Sequence, residues 1–183
     1  AETTEFTAAT TQDPDVAVTI TGGVAANAAQ ISAVAGATTG AVTAAIAGNY
    51  AVVNALTNTD NNDQITITVN DAISVANVNT LDAKTGVDLV LTGGVSDEAV
   101  NYSDLLGNAS AGLTAIAAQD DDAVLTVTTA VNMLQMADIN AATDADVILQ
   151  GGISDEAINL VNTAGNAETT EFTAATTQDP DVA

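Results

Sequence analysis

Residues 67–102 read ITVNDAISVANVNTLDAKTGVDLVLTGGVSDEAVNY, and residues 125–160 read LTVTTAVNMLQMADINAATDADVILQGGISDEAINL. The two stretches align without a gap, so that GGVSDEA at 93–99 corresponds to GGISDEA at 151–157. Self-similarity at a fixed spacing is the sequence signature of a repeat architecture. We therefore expect a 58-residue structural unit (125 − 67 = 58), with one copy starting near residue 67 and the next near residue 125.

A longer period encloses this one. Residues 167–183 repeat residues 1–17 without a change, and both read AETTEFTAATTQDPDVA. We interpret residues 1–166 as one full period of a tandem array (183 − 17 = 166), with a degenerate unit before residue 64, and residues 167–183 as the start of the next period. In the degenerate unit, AATTQDPDVAVTITGG at 8–23 resembles AATDADVILQGG at 141–152.

The spacing of apolar residues predicts the first two elements of the unit. Residues 65–69, ITITV, alternate apolar and polar side chains, which is typical of a strand with one polar face. Apolar residues then recur at i, i+3 and i+6, on one face of a helix that Asp71 or Ser74 can cap. In the two copies this predicted buried face comprises Val75, Val78, Leu81, Met133, Met136 and Ile139.

The second half of the unit begins with a nearly continuous apolar run, VDLVL at 87–91. Runs of this kind are typical of parallel strands that are buried on both faces, so we expect Leu89 and Leu91 in the core, with Val147 and Leu149 as their counterparts. A glycine pair follows, and Ser96 or Ser154 is then expected to cap a second helix with acidic residues in its first turn. The predicted order is strand, helix, strand, helix.

Strands joined through helices lie parallel. The chain is rich in Asn and Asp but contains no Asn-Gly or Asp-Gly dipeptide, the strongest signal of a two-residue hairpin. We therefore predict an α/β tandem-repeat solenoid or fibre with parallel strands. A string of β-sandwich modules is the alternative.

Composition excludes several functional classes. The chain carries 24 acidic residues against one lysine, Lys84, for a net charge of −23, and it has no His, Cys or Arg. Nucleic acids and anionic membrane surfaces need Lys and Arg on their partners, so neither is an expected ligand. Without His and Cys, no Ser-His, Cys-His or zinc arrangement can form, and we expect no enzymatic activity.

Calcium is the one ion that the residue types favour, because it takes six to eight oxygen ligands from carboxylates, amides and backbone carbonyls. Three acidic clusters offer such oxygens, and the alternative for each is a solvated turn, since Asp and Asn favour turns. No bound cofactor is otherwise expected. The candidate calcium ligands are Asp13, Asp15, Asp60, Asp63, Asp120, Asp121 and Asp122.

The phrases TVNDAISVANVNTLDAKTG at 68–86 and LTGGVSDEAV at 91–100 resemble tandem repeats of very large secreted cyanobacterial surface proteins, of the hemolysin-type calcium-binding or adhesin-like kind. The resemblance covers most of residues 64–160 and, more faintly, the first 60. It implies an extracellular fibre, sheath or surface layer. The glycine-rich G-G-x-G-x-D nonapeptide of calcium-binding β-rolls is absent, so the resemblance does not carry calcium binding over.

Together these features predict a structural subunit of an extracellular or cell-surface filament, sheath or layer, with copies of itself as partners. Repeats of this kind build length and surface. The alternative is a passive stalk that extends the binding domain of a large adhesin away from the cell. The repeats would look alike in both cases, so these residues leave the two readings open.

Overall fold

The computed structural model describes residues 2–21, 27–161 and 172–173. Short helices alternate with short strands over these residues, and every pair within a sheet is parallel. The helices are α1 (Glu2–Gln12), α2 (Ala28–Ala35), α3 (Tyr50–Asn54), α4 (Val75–Asp82), α5 (Ala99–Tyr102), α6 (Ala111–Gln119), α7 (Met133–Asn140) and α8 (Ala157–Leu160). The strands are β1 (Val18–Thr19), β2 (Val42–Gly48), β3 (Gln64–Val69), β4 (Val95–Asp97), β5 (Leu125–Val127) and β6 (Val147–Leu149).

This arrangement confirms the predicted α/β class with parallel strands. It excludes antiparallel β-sandwich modules for the described part of the chain, because the only antiparallel pairing there is an isolated bridge between Ser103 and Ala109. The chain divides into two compact units. The first comprises Ala1–Asp71 with Thr80–Val90, and the second comprises Ala72–Asn79 with Leu91–Ala183.

The first unit contains a three-stranded sheet in the order β1-β2-β3. Val18 pairs with Val42, Thr43 pairs with Gln64, and an isolated parallel bridge joins Thr68 to Val90 beyond β3. Side chains alternate along β3, where residues 65, 67 and 69 are buried and 64 and 66 are exposed, as the sequence predicts.

The second unit contains a three-stranded sheet in the order β4-β5-β6. Val95 pairs with Leu125, and Leu125 pairs with Val147. Isolated parallel bridges extend the pairing, from Ile73 to Val95 and from Val131 to Ile153. The buried side chains of this unit are mostly aliphatic, and the others include Met133, Met136, Tyr102 and the polar Ser103, Gln135 and Thr143.

Paired positions are separated by recurring intervals along the chain. The bridge from Thr68 to Val90 and the pair of Leu125 with Val147 span the same interval (90 − 68 and 147 − 125). The step from Val95 to Leu125 is longer, because α5, a short loop and α6 all lie between them. The shorter interval holds one strand, one turn and one short helix, which is what a parallel crossover needs.

Local sequence explains where the longer helices start. Asn27 caps α2 and Asn132 caps α7, each with its side-chain oxygen on the N3 backbone N–H. The glutamine at N3 returns a hydrogen bond to the cap in both cases, which completes a capping box. Ser74 accepts the Asn77 N–H at 3.3 Å, so of the two predicted caps for α4 the serine is the correct one.

The predicted core positions are confirmed. All ten are buried, with no more than 5% of any side chain exposed, because the helical and strand periodicities direct them to the covered face. They are Val75, Val78, Leu81, Leu89 and Leu91 with their counterparts Met133, Met136, Ile139, Val147 and Leu149.

Two sequence predictions about the second half-unit are wrong. Residues 87–91 are not buried on both faces, since Val90 is 38% exposed and its counterpart Ile148 is 42% exposed. Only one face of this segment is covered, and the apolar run therefore overstated its burial. Ser96 does not cap a helix either, because it lies within β4 and α5 begins at Ala99, after Glu98.

Identical sequences at 1–17 and 167–183 predict identical local structure. Phe172 and Thr173 are helical, as are their counterparts Phe6 and Thr7 within α1. The remainder of residues 167–183 lies outside the described residues, so this remains a prediction.

Candidate functional site

The first predicted calcium cluster is an exposed turn between α1 and β1. Asp13 and Asp15 flank Pro14 there, and both side chains are exposed. A hydrogen bond with the Asp15 side chain raises the pKa of Asp13, and the nearby charge of Asp15 acts in the same direction. The two carboxyl groups are thus close neighbours in this exposed turn.

In the second cluster, backbone N–H groups occupy the oxygens of Asp63. Asp63 is buried, and its two carboxylate oxygens accept the N–H groups of Val42, at 2.8 Å, and of Asp60, at 3.1 Å. Asp60 is exposed and accepts the Asn62 N–H at 2.8 Å. These bonds tie the turn before β3 to the first residue of β2.

The third cluster follows α6. Asp120 accepts a hydrogen bond from the Leu91 N–H, whereas Asp121 and Asp122 are exposed. Burial and a hydrogen bond with Asp122 raise the pKa of Asp120 to about 6. The Asp120 side chain is half-buried, and one of its oxygens faces the Leu91 backbone donor.

No group of three or more acidic, His or Cys side chains in the described residues is placed to hold a metal ion. The seven predicted calcium ligands are distributed over three separate turns. Asp60, Asp63 and Asp120 already use carboxylate oxygens to accept backbone N–H groups. Calcium binding remains a prediction.

The sequence did not reveal the role of Asp97 and Asp155. One oxygen of Asp97 accepts the N–H of Val75, the first residue of α4, at 3.1 Å. The corresponding oxygen of Asp155 accepts the N–H of Met133, the first residue of α7, at 2.8 Å. Each aspartate thus caps a helix that precedes it in sequence by a full crossover. The free N–H groups and positive dipole end of a helix N-terminus favour such an anion.

The second oxygen of each aspartate organises the next helix. Asp97 accepts the N–H of Glu98 at 2.9 Å and the side-chain amide of Asn101 at 2.6 Å. Asp155 makes the same two bonds to Glu156 and Asn159, at 2.7 Å each. The hydrogen bond from Met133 is the main cause that lowers the pKa of Asp155.

A third aspartate in the first unit acts in the same way. Asp71 accepts the N–H of Tyr50, the first residue of α3, at 2.8 Å and from one crossover away. The sequence signal was the recurrence of an aspartate after each strand segment. The sequence places these acids at the start of the helix that follows them, whereas in the structure each accepts the first N–H of an earlier helix.

Threonine hydroxyls form a second recurring contact. Thr38, Thr85 and Thr143 donate to the backbone carbonyls of Val16, Ile65 and Ala123, at 2.6, 2.8 and 2.7 Å. In each case the same hydroxyl oxygen accepts the backbone N–H two positions later. These side chains fasten one crossover to the strand segment of the previous one.

The second unit also carries an open groove with a volume of about 450 Å³. Its polar lining consists of Ser74, Asn79, Asp97, Asn101 and Ser110. At its floor a Cβ on Gly112 would lie 2.5 Å from the carbonyl oxygen of Val75, so only glycine allows α6 to approach this closely. The groove has no aromatic side chain, and its only ionisable lining residue already caps α4.

No helix among the described residues is long and apolar enough to cross a membrane. Comparison with known proteins found no matching family model, and no curated protein or solved structure with significant similarity.

Proposed function

We propose that this chain is a structural segment of an extracellular filament, sheath or surface layer, in which 58-residue α/β units stack as a tandem-repeat solenoid. The observation that carries the proposal is the repeated capping bond. Asp97 on Val75 and Asp155 on Met133 are the same contact, displaced by one 58-residue unit at both ends (155 − 97 and 133 − 75). A side chain that joins successive crossovers is what a stack of repeats requires.

Whole elements recur at the same displacement. Helix α7 begins one 58-residue unit after α4 (133 − 75), and α8 begins one such unit after α5 (157 − 99). The bridge from Ile73 to Val95 recurs as the bridge from Val131 to Ile153. Gly94 and Gly152 share a positive φ, of 71° and 70°. This repetition supports a unit that can be added in series.

The distribution of charge supports an extracellular setting with copies of the same chain as partners. Lys84 is the only side-chain cation in the sequence, and its ammonium group donates to the carbonyl of Leu56 at 2.7 Å. The surface charge is therefore almost entirely negative. High net charge of one sign prevents random association, and salt at high ionic strength screens the repulsion to within a few Å.

The side chains that carry acid–base chemistry support a structural role. Asp63, Asp71, Asp97, Asp120 and Asp155 all accept backbone N–H groups that would otherwise lack partners. Backbone donors without partners are costly where they are shielded from water, as at Val42, so these carboxylates serve the fold. The positions of these five aspartates are explained by their hydrogen bonds, without a catalytic role.

Arrays of one, two and four 166-residue periods test this proposal. We expect rods in electron micrographs whose length grows by the same increment for each added period, and a radius of gyration in solution scattering that grows in step. Compact particles whose longest dimension grows only as the cube root of chain length would contradict the proposal. A matched control is an array in which every Asp97 and Asp155 is replaced by Ala, which should shorten or disorder the rods.

A further inference from the structure

Within the second unit, one helix–turn–strand segment docks on the edge of the strand segment before it. The segment comprises α6, the turn at residues 120–122 and β5, and the edge comprises residues 91–97. The Val95 N–H donates to the carbonyl of Val124 at 2.9 Å, and the Thr128 N–H donates to the carbonyl of Asp97 at 2.9 Å. Asp120 adds the hydrogen bond to the Leu91 N–H.

The first residues of the chain form a segment of the same construction. Residues 12–20 read QDPDVAVTI and residues 119–127 read QDDDAVLTV. The interval from the end of α1 to the start of β1 equals the interval from the end of α6 to the start of β5 (18 − 12 and 125 − 119). The turns match as well, because in each of them a neighbouring aspartate, Asp15 in one and Asp122 in the other, raises the pKa of the first aspartate.

A second copy of the docking edge lies at the end of the described second unit. Residues 149–155 correspond to residues 91–97 at the 58-residue offset. Ile153 bridges to Val131 as Val95 bridges to Ile73. On its other side, Val95 has β5 as a partner, and no strand among the described residues takes this place beside Ile153.

Gly94 and Gly152 show the same difference. A Cβ on Gly94 would lie 2.7 Å from the carbonyl oxygen of Val124, the residue before β5. A Cβ on Gly152 would meet nothing within 4 Å among the described residues. The glycine is therefore placed for a close strand approach that the described part of the chain does not itself supply.

We propose that the segment that opens each period, α1 with its turn and β1, docks on the 149–155 edge of the preceding period. The spacing along the chain fits this docking. Helix α6 starts 16 residues after Val95 (111 − 95), and the copy of α1 starts at Glu168, 15 residues after Ile153 (168 − 153). The expected register places Val18 of the following period opposite Ile153, and the copy of Asp13 on the Leu149 N–H. This inference rests on the proposed tandem-repeat assembly and identifies its period-to-period joint.

Two hydrogen-bonding residues in the contact between the α6–β5 segment and residues 91–97 are replaced in the proposed contact between periods. The Tyr102 hydroxyl oxygen lies 3.0 Å from the carbonyl oxygens of both Val95 and Thr126, where its one proton can be shared, and the counterpart of Tyr102 is Leu160. Thr129 accepts the Ala99 N–H at 2.9 Å, and its counterpart in the opening segment is Gly22. The contact between periods therefore depends on the carboxylate of Asp179 at the Leu149 N–H and on the strand pairing. We expect this contact to be weaker than the one between residues 91–97 and the α6–β5 segment.

The 183-residue chain provides a matched test, because it contains the opening segment twice with identical sequence. Asp179 is the copy of Asp13, and only Asp179 follows a docking edge at the right spacing. Amide hydrogen exchange by NMR should show the Leu149 amide exchanging at least about tenfold faster in Asp179→Ala, since a buried donor loses its acceptor. Asp13→Ala should leave that rate unchanged, and Asp120→Ala should accelerate Leu91 instead.

An added strand provides the second measurement. Extending the chain after Ala183 by Val-Thr-Ile-Thr, the copy of Val18–Thr21, should slow exchange of the Asp155 amide about tenfold, whereas Gly-Ser-Gly-Ser should not. Equal Leu149 rates in Asp179→Ala and the parent chain, or equal effects of the two extensions, would overturn the proposal. Leu149 protection that falls on dilution would also overturn it and would assign the edge to a separate molecule.

These readouts are taken on single chains in solution, so they are independent of filament formation. Rods without Leu149 protection would reject the joint and keep the proposed function. Protection without rods would reject the filament and keep the joint.

Discussion

The carboxylate of Asp97 lies 3.1 Å from the backbone nitrogen of Val75, a residue one crossover earlier in the chain. The bond joins the end of β4 to the start of α4, and it recurs between Asp155 and Met133. Each of these two acidic side chains thus links two successive crossovers of the second compact unit. Its contribution to stability can be measured directly.

Replacing Asp97 by Ala removes the acceptor of the Val75 N–H and the partner of Asn101. We expect the free energy of unfolding to fall by about 0.5–2 kcal/mol, the usual range for loss of a helix N-cap. Urea denaturation measures this change, and Asp155→Ala should give a similar value. Asp88→Ala, at an exposed position, is the control, and a loss as large as that of Asp97→Ala would contradict the capping role.

Leu89 tests the core that the sequence periodicity predicts. The side chain is 2% exposed, so Leu89→Ala should cost roughly 2–5 kcal/mol through lost burial and the cavity that remains. Leu106→Ala is the matched control, because Leu106 is 78% exposed and its truncation should cost less than about 0.5 kcal/mol. Similar losses in both variants would show that the 58-residue register places the core wrongly.

Local periodicity predicted this core because the face on which a side chain lies is set by its position within one helix or strand. Alternation in residues 65–69 and the i, i+3, i+6 spacing of α4 both reflect backbone geometry. The exposure of Val90 was not predictable in the same way. An apolar run reports that one face is buried, but not whether anything covers the other face.

The helices that these aspartates cap could not be predicted from a short stretch of sequence either. Asp97 follows a strand and precedes α5, so its sequence neighbours pointed to the helix after it. Its main partner, Val75, is brought near by the parallel pairing of Ile73 with Val95. Only the register of that pairing, which a short sequence window does not contain, identifies the contact.

The Asp120 carboxyl predicts an unusual pH dependence. Burial raises its pKa in the folded chain to about 6, from an ordinary value of 3.8, so the folded state binds more protons than the unfolded state between these values. Stability from this group is therefore lost as the pH rises from about 4 to about 6. The lowered pKa values of Asp104 and Asp155 act in the opposite sense and at lower pH, where protonation removes their contribution.

Asp120→Asn imitates the protonated carboxyl at every pH and keeps an acceptor for the Leu91 N–H. We expect its stability relative to the parent chain to increase from pH 4 to pH 7, as measured by urea unfolding at each pH. Asp88→Asn, at an exposed position, is the control for the loss of one negative charge. A constant difference between Asp120→Asn and the parent chain would show that Asp120 titrates normally.

Chelation decides between calcium sites and metal-free turns at the three acidic clusters. We expect a calcium chelator at fixed ionic strength to change the melting temperature by less than about 1 °C, because the cluster oxygens of Asp63 and Asp120 already accept backbone N–H groups. An ion that binds only the folded chain at 100 times its Kd would contribute about 2.7 kcal/mol. Its removal would lower the melting temperature of a chain this long by roughly 5–10 °C, at about 2–4 °C per kcal/mol. Differential scanning calorimetry with chelator, with added calcium and with added magnesium separates these outcomes. A drop of that size, restored by calcium and absent in Asp63→Asn or Asp121→Asn, would establish calcium as a ligand of the folded chain.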